Sequence, residues 1–261
     1  MKVCRFSLPN SESSRVAILD GMRVIPFPRG ETIPNLTEPI FAEALPLEEV
    51  RLLAPLTPSK IVGIGRNYLE HAIEFGNKLP TEPLLFLKAP SSIVGPDEMI
   101  ELPPQSHQVD HEGELGVVIG RKAHRIGSEE DPLSYVFGYT CVNDVTARDL
   151  QRKDVQFTRA KSFDTFCPVG PVIVTDLDPL DLQVKTSVNS VVKQQARTSA
   201  MAFSVPFLIR YIAEMMTLYP GDLIATGTPA GVSQLKHGDV VEVEVEGVGV
   251  LQNRVCAHGA E

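Results

Sequence analysis

The chain has 261 residues, 43% of them hydrophobic and 22% charged, which suits one large globular domain, or one with a small appendage, and excludes a chain that stays unfolded. With 24 Lys and Arg against 33 Asp and Glu, the formal net charge of −9 makes nucleic acid and anionic membrane surfaces poor partners. The scattered Cys4, Cys141, Cys167 and Cys256 form no C-x-x-C pair, no apolar run approaches the ~18 residues of a membrane helix, and Met1–Asn10 does not read as a secretory leader; the reading is a soluble cytoplasmic protein with reduced thiols.

Short strands are predicted over Val3–Ser7, Val16–Leu19 and Val24–Phe27, separated by turn formers at Pro9-Asn10-Ser11 and Pro28-Arg29-Gly30-Glu31. The run Leu47–Leu53 reads as a turn or two of helix, after which Pro55 and Pro58 interrupt the chain. A domain boundary is placed there: residues 1–57 form a small N-terminal unit with too little material for a strong core of its own, and residues 58–261 the main domain.

Beyond it, strands are predicted over Ile61–Ile64, Leu84–Lys88, Glu112–Ile119, Phe137–Val142, Val169–Val174, Leu182–Val188, Leu223–Thr226, Val240–Val245 and Val248–Val255. Two helices interrupt them, Tyr68–Phe75 and Val205–Met216. In the second, Ser204 can cap, Pro206 sits in the first turn, and Phe207, Leu208, Tyr211, Ile212, Met215 and Met216 make an apolar stripe that reads as core packing. Asn189-Ser190 and Glu246-Gly247 are hairpin signals. The fold class is therefore α+β and strand-dominated, with no internal repeat.

Val109–Ile119 is the most informative stretch. Side chains at i and i+2 of a strand share a face about 7 Å apart at Cα, so Glu112 and Glu114 can address a single ion, while His111 faces away from Glu112. From this pattern alone, two exposed glutamates on an edge strand are the simpler reading. A third carboxylate weakens it: an apolar strand ends at Asn143-Asp144, and a short, polar, helix-like turn follows. Three carboxylates without a Cys or His cluster make a hard oxygen site suited to Mg²⁺ or Mn²⁺.

His71 and Glu74 lie three apart on the first helix, and a His oriented by a carboxylate can take a proton near neutral pH. On spacing alone such pairs are usually just solvated. Arg148, Gln151 and Lys161 can each meet a carboxylate or oxyanion, and Thr226–Val232 is a glycine-rich turn that is neither a Walker loop nor a dinucleotide fingerprint.

Taken in order, Gly65-Arg66-Asn67-Tyr68 with His71 and Glu74, Phe86-Leu87-Lys88, His111-Glu112-Gly113-Glu114, Asp144 with Thr146-Ala147-Arg148-Asp149, Ala160–Asp164 and Thr226-Gly227-Thr228-Pro229 closely resemble the fumarylacetoacetate hydrolase family, over about Lys60 to Val255. The segment before Lys60 resembles, more loosely, the small N-terminal domain of longer bacterial members. The resemblance implies a mixed β-roll and a homodimer. It also implies that Glu112, Glu114 and Asp144 hold Mg²⁺ or Mn²⁺, that His71 and Glu74 activate water with Lys161 as a further catalytic group, and that Arg66, Tyr68, Arg148, Gln151 and Thr228 meet a small 2-oxo acid.

The reaction expected first is hydrolysis of a C–C bond in a 2,4-dioxo acid, an acylpyruvate such as fumarylpyruvate or acetylpyruvate. Decarboxylation of oxaloacetate and isomerisation of a dienedioate are alternatives on the same site. A non-catalytic sensor of 2-oxo acids is the alternative of another class, and the presence of both His71 and Glu74 argues against it.

Overall fold

A strand buried on both faces must be apolar along its whole length, and Leu115-Gly116-Val117-Val118-Ile119 meets that condition. In the computed structural model, which describes residues 1–9, 11, 13–27 and 43–259, the strand Gly113–Ile119 is buried throughout. It lies inside a mixed sheet of 12 strands among the described residues. On one side it pairs antiparallel with Leu223–Ala225, which runs parallel to Ile61–Gly65, and that strand pairs antiparallel with Leu84–Lys88. On the other side it pairs with Val136–Asn143, in register from Gly113 opposite Asn143, and the sheet continues through Cys167–Val174.

The N-terminal strand Lys2–Ser7 extends this sheet, Lys2 opposite Val174 and Val3 opposite Ile173. Ser14–Asp20, Arg23–Pro26 and Leu45–Pro46 follow it outwards. Cys4, Phe6, Ala17 and Val24 pack in the same cluster as Leu115 and Val117. The N-terminal strands thus share a core with the main sheet, as befits a segment too short to bury much alone. A second sheet orders Val191–Arg197, Gln183–Val188, Val240–Val245, Gly249–Ala257 and Met99–Leu102, and Val184, Val243, Val245 and Leu251 from it join that large cluster too.

Both predicted helices form, as Leu69–Glu74 and Val205–Met215. Some details differ. Leu47–Leu53 divides into a single 3-10 turn over Leu47–Glu49 and a strand, Arg51–Leu53, which pairs with Lys2–Ser7, because pairing to an available edge overrides a weak helical preference. Ser204 occupies the N-cap position without a side-chain capping bond. Leu208 and Ile212 are buried, but Phe207 and Met215 are about half exposed, so the stripe is only partly core. The turn formers at Asn10 and Pro28–Glu31 lie outside the described residues. No helix of the described residues is long and apolar enough to cross a membrane.

Candidate active site

The register of the central pair builds the site. Because Gly113 lies opposite Asn143, the residues just beyond, Glu112 and Asp144, become neighbours: the Asp144 amide donates to the Glu112 carbonyl at 2.8 Å and the Glu112 amide donates to Asn143 Oδ1 at 2.9 Å. Glu114, one strand step on, returns to the same face. Ligand oxygens of Glu112, Glu114 and Asp144 all lie within 4.8 Å of one another, and all three residues are buried.

Such a cluster is costly unless cations compensate it. Lys161 Nζ donates to Glu112 Oε2 at 2.8 Å, Asp144 Oδ2 at 2.5 Å and Thr146 Oγ1 at 2.9 Å. Arg148 spans Asp110 Oδ2 at 2.9 Å and Glu112 Oε1 at 2.6 Å. Lys88 Nζ donates to Asp144 Oδ1 at 2.6 Å. Burial alone would raise the pKa of Glu112, but Lys161 and Arg148 outweigh it and hold this carboxyl well below the usual range. For Lys161, burial favours the neutral amine, yet Asp144 and Glu112 overcome it and raise the pKa.

Glu114 differs. Its partner is a backbone amide, Gly227 N–H at 2.8 Å, and no cation among the described residues is paired to it. Burial, followed by the fields of Asp144 and Glu112, pushes its pKa well upwards. If all were ionised, Asp110, Glu112, Glu114 and Asp144 would outnumber Lys88, Arg148 and Lys161 by one charge, and Glu114 is the carboxyl left without a balancing cation. All-oxygen donors, converging, buried and short of positive charge, are what a hard divalent cation requires, so the residues present fit Mg²⁺ or Mn²⁺.

Beside this cluster lies a cavity of about 370 Å³, lined among others by Arg66, His71, Glu112, Glu114, Arg148, Gln151, Lys161 and Thr228. His71 Nδ1 meets Glu74 Oε2 at 3.1 Å. An ionised carboxylate only accepts, so Nδ1 carries the proton and Nε2 of the neutral ring is left as the acceptor. Glu74 is itself fixed, its Oε1 accepting from the Gly231 amide at 3.0 Å. Phe75 packs edge-on against the His71 ring and lies 4.6 Å from the Arg148 guanidinium. Arg66, at φ 58°, turns the chain between strand and helix.

The remaining residues singled out in the sequence have mixed placements. Arg148 is committed to Asp110 and Glu112 and also donates to Gln151 Oε1 at 2.7 Å, so it first braces the carboxylates. Tyr68 is buried and absent from the cavity lining, and its hydroxyl has no hydrogen-bond partner among the described residues. Thr228 reaches the cavity while its hydroxyl donates to the Gly113 carbonyl at 2.9 Å. His111 lies outside the carboxylate cluster, its ring held between Gln194 and Ser233.

Sequence reasoning gave no role to Lys88, Asp110 or Asn67. Asn67 ties the loop before the short helix to Phe203 and Thr226. A lysine closing an apolar strand, as Lys88 does in Leu84–Lys88, was a usable signal: such a charge is buried only where a carboxylate waits for it.

Fold and site together define an enzyme whose buried Glu-Glu-Asp triad, able to hold a divalent ion, opens beside a His–Glu pair in a strand-rich scaffold. The chain belongs to the fumarylacetoacetate hydrolase family: residues 60–256 match the family model described as fumarylacetoacetate (FAA) hydrolase C-terminal, and residues 1–55 match the one described as Rv2993c-like, N-terminal. It is 52% identical over 200 residues to the protein MJ1656 of Methanocaldococcus jannaschii, covering 77% of this chain and 84% of that one. It is 44% identical over 224 residues to the oxaloacetate tautomerase YisK of Bacillus subtilis, covering 80% and 74%. Among solved structures, the 2-hydroxyhepta-2,4-diene-1,7-dioate isomerase of Mycobacterium marinum superposes with a TM-score of 0.88 at 42% identity, covering 100% of both chains.

Proposed function

We propose that this enzyme moves a proton between carbon and oxygen of a small 2-oxo dicarboxylic acid, as a keto–enol tautomerase or isomerase of the oxaloacetate type. The observation that carries this reading is that Glu112 and Glu114 of the carboxylate triad and His71, which Glu74 orients from behind, line one cavity. Enolisation needs a base at the carbon next to the oxo group and stabilisation of the charge that develops on oxygen. His71 Nε2 is the base, oriented by Glu74 through Nδ1. Glu112, Glu114 and Asp144 would hold a divalent ion, which would supply Lewis-acid stabilisation of the charge developing on oxygen. Arg66, which lines the cavity and has no ion-pair partner among the described residues, presents positive charge to a substrate that the protein's net charge of −9 would otherwise repel. The relatives named as oxaloacetate tautomerase and dienedioate isomerase support this reading.

Hydrolysis of an acylpyruvate is the second reading, because an acceptor that removes a proton from carbon can equally remove one from water. The homodimer and the cytoplasmic setting expected from the sequence belong to the same proposal, the first checked by sedimentation velocity. The deciding experiment follows oxaloacetate enol–keto exchange by ultraviolet absorbance in Mg²⁺, beside pyruvate release from acetylpyruvate, fumarylpyruvate and oxaloacetate. Exchange well above the buffer rate, with slow pyruvate release, is the expected result. Pyruvate release from an acylpyruvate without enol–keto exchange would establish the hydrolase instead, and no rate with any substrate would sink both.

A further inference from the structure

The edge strand Val191–Arg197 is exposed along most of its length, yet its Gln194 is fully buried. A buried primary amide has two donors and two acceptor positions to satisfy, and here all four are used. Gln194 Oε1 accepts from the Gly113 amide at 3.0 Å and meets His111 Nδ1 at 3.1 Å. Nε2 donates to Thr228 Oγ1 at 2.7 Å and to the Pro229 carbonyl at 2.6 Å. Gly113 N–H can only donate and the Pro229 carbonyl can only accept, so these two backbone groups fix which way round the amide sits.

Each half of the amide holds a different part of the site. The oxygen grips Gly113, the residue between Glu112 and Glu114. The nitrogen grips the turn that begins at Thr228 and Pro229. Two residues further, Gly231 donates its amide to Glu74 Oε1 at 3.0 Å. Gly231 is seated on the same edge strand: at φ +102° its backbone lies so close to Lys193 that an added Cβ would come 2.0 Å from the Lys193 carbonyl oxygen. Lys193 and Gln194 thus form a seat for Pro229–Gly231, and that turn holds the carboxylate that orients His71.

We infer that Gln194 is a positioning residue for proton transfer, its amide locking the Pro229–Gly231 turn to the ligand-bearing strand so that Glu74 stays aligned behind His71. The inference rests on the proposed role of the His71–Glu74 pair. Gln194→Glu separates the two halves, because a carboxylate keeps the acceptors for Gly113 and His111 but sets an oxygen against the Pro229 carbonyl. Gln194→Met, of similar length, removes both halves, and Gln195→Glu places the same charge one residue along on the exposed side.

The measurements are kcat and KM for oxaloacetate enol–keto exchange in Mg²⁺, the Mn²⁺ dissociation constant by calorimetry, and hydrogen exchange of the peptide spanning residues 229–233. For Gln194→Glu, kcat should fall about 10- to 100-fold, as for a misaligned general base, with KM and Mn²⁺ affinity within about threefold of the parent. Exchange over residues 229–233 should speed up. Gln194→Met should lose Mn²⁺ affinity as well, and Gln195→Glu should behave as the parent. Parent kcat in Gln194→Glu overturns the inference, and so does loss of Mn²⁺ affinity in step with kcat. His71→Ala, measured alongside, separates the layers: parent kcat in that variant overturns the base-pair reading and the inference with it, whereas its loss together with an unaffected Gln194→Glu overturns the inference alone. If Gln194→Glu does not fold, Gln194→Asn, shorter and uncharged, is judged by the same criteria.

Discussion

Glu114 shows how one buried carboxyl can link ion, proton and stability. Its pKa is pushed well above the ordinary 4.5 by burial and by the fields of Asp144 and Glu112. Below about pH 4.5 the folded and unfolded chains both keep this proton and it contributes no difference. As the pH rises from there towards the raised folded value, the unfolded chain ionises first, so this group's contribution to the stability of the metal-free protein falls. A divalent cation reverses that by preferring the ionised form. We therefore predict that Mn²⁺ binding releases protons, measured as a calorimetric heat that depends on the ionisation enthalpy of the buffer, and that it raises the melting temperature more near pH 8 than near pH 5.5. Glu114→Gln should remove the proton release and weaken Mn²⁺ binding by at least about tenfold. Binding equal to the parent's would show that Glu114 is no ligand.

His71 makes a contrasting residue-scale prediction. Its ring is held by Glu74 and Phe75 and makes no hydrogen bond to the triad among the described residues. His71→Ala should lower proton-transfer turnover by about 10²-fold or more, the usual share of a general base, while Mn²⁺ affinity stays near the parent value. Loss of Mn²⁺ binding in that variant would mean that the ring supports the carboxylates instead of acting on substrate.

At the scale of elements, what separates Glu112 from Glu114 is a glycine pressed against the second sheet. A Cβ at Gly113 would lie 1.9 Å from Thr186 Oγ1 and 3.3 Å from Val243. Gly113→Ala should force Val109–Ile119 away from Gln183–Val188, costing about 1–3 kcal/mol of stability as overpacking does, and weaken Mn²⁺ binding at the same time. Chemical denaturation and calorimetry read the two effects. An alanine variant with parent stability would show that Thr186 rotates aside without moving the strand.

How much of this was readable beforehand follows from how each element announces itself. Gly113–Ile119 and Val136–Asn143 are long apolar runs, and their positions in the sequence are clear. Glu112, Glu114 and Asp144 could be suspected because two of them alternate on one strand and the third ends another. Val191–Arg197 was not readable: with Lys193 and Gln195 on an exposed edge its alternation is diluted, and Gln194 looks like one more polar residue until the sheet buries it. Lys88, Asp110 and Asn67 act through partners 38 to 159 positions away, and such partnerships exist only once the chain has folded. The inward course of Tyr68 depends in the same way on its bridge to Met201.

For the molecule as a whole, the sheet decides what the N-terminal strands are for. Lys2–Ser7 pairs with Cys167–Val174 on one side and with Ser14–Asp20 on the other, while Arg51–Leu53 also joins it. Cys167–Val174 is in turn the neighbour of Val136–Asn143, whose end carries Asp144. Removing residues 1–57 would strip Cys4, Phe6, Ala17 and Val24 from the shared core and leave the edge of Cys167–Val174 open to pairing with another chain. Losing several buried side chains costs a few kcal/mol each, against a total stability of about 5–15 kcal/mol. A chain of residues 58–261 should therefore aggregate or melt far below the full-length protein, although every proposed ligand and His71 remain in it. Light scattering and thermal melting of the truncated chain decide this. A monodisperse product that melts near the parent temperature and binds Mn²⁺ with parent affinity would show that the N-terminal strands are an appendage that the site does not need.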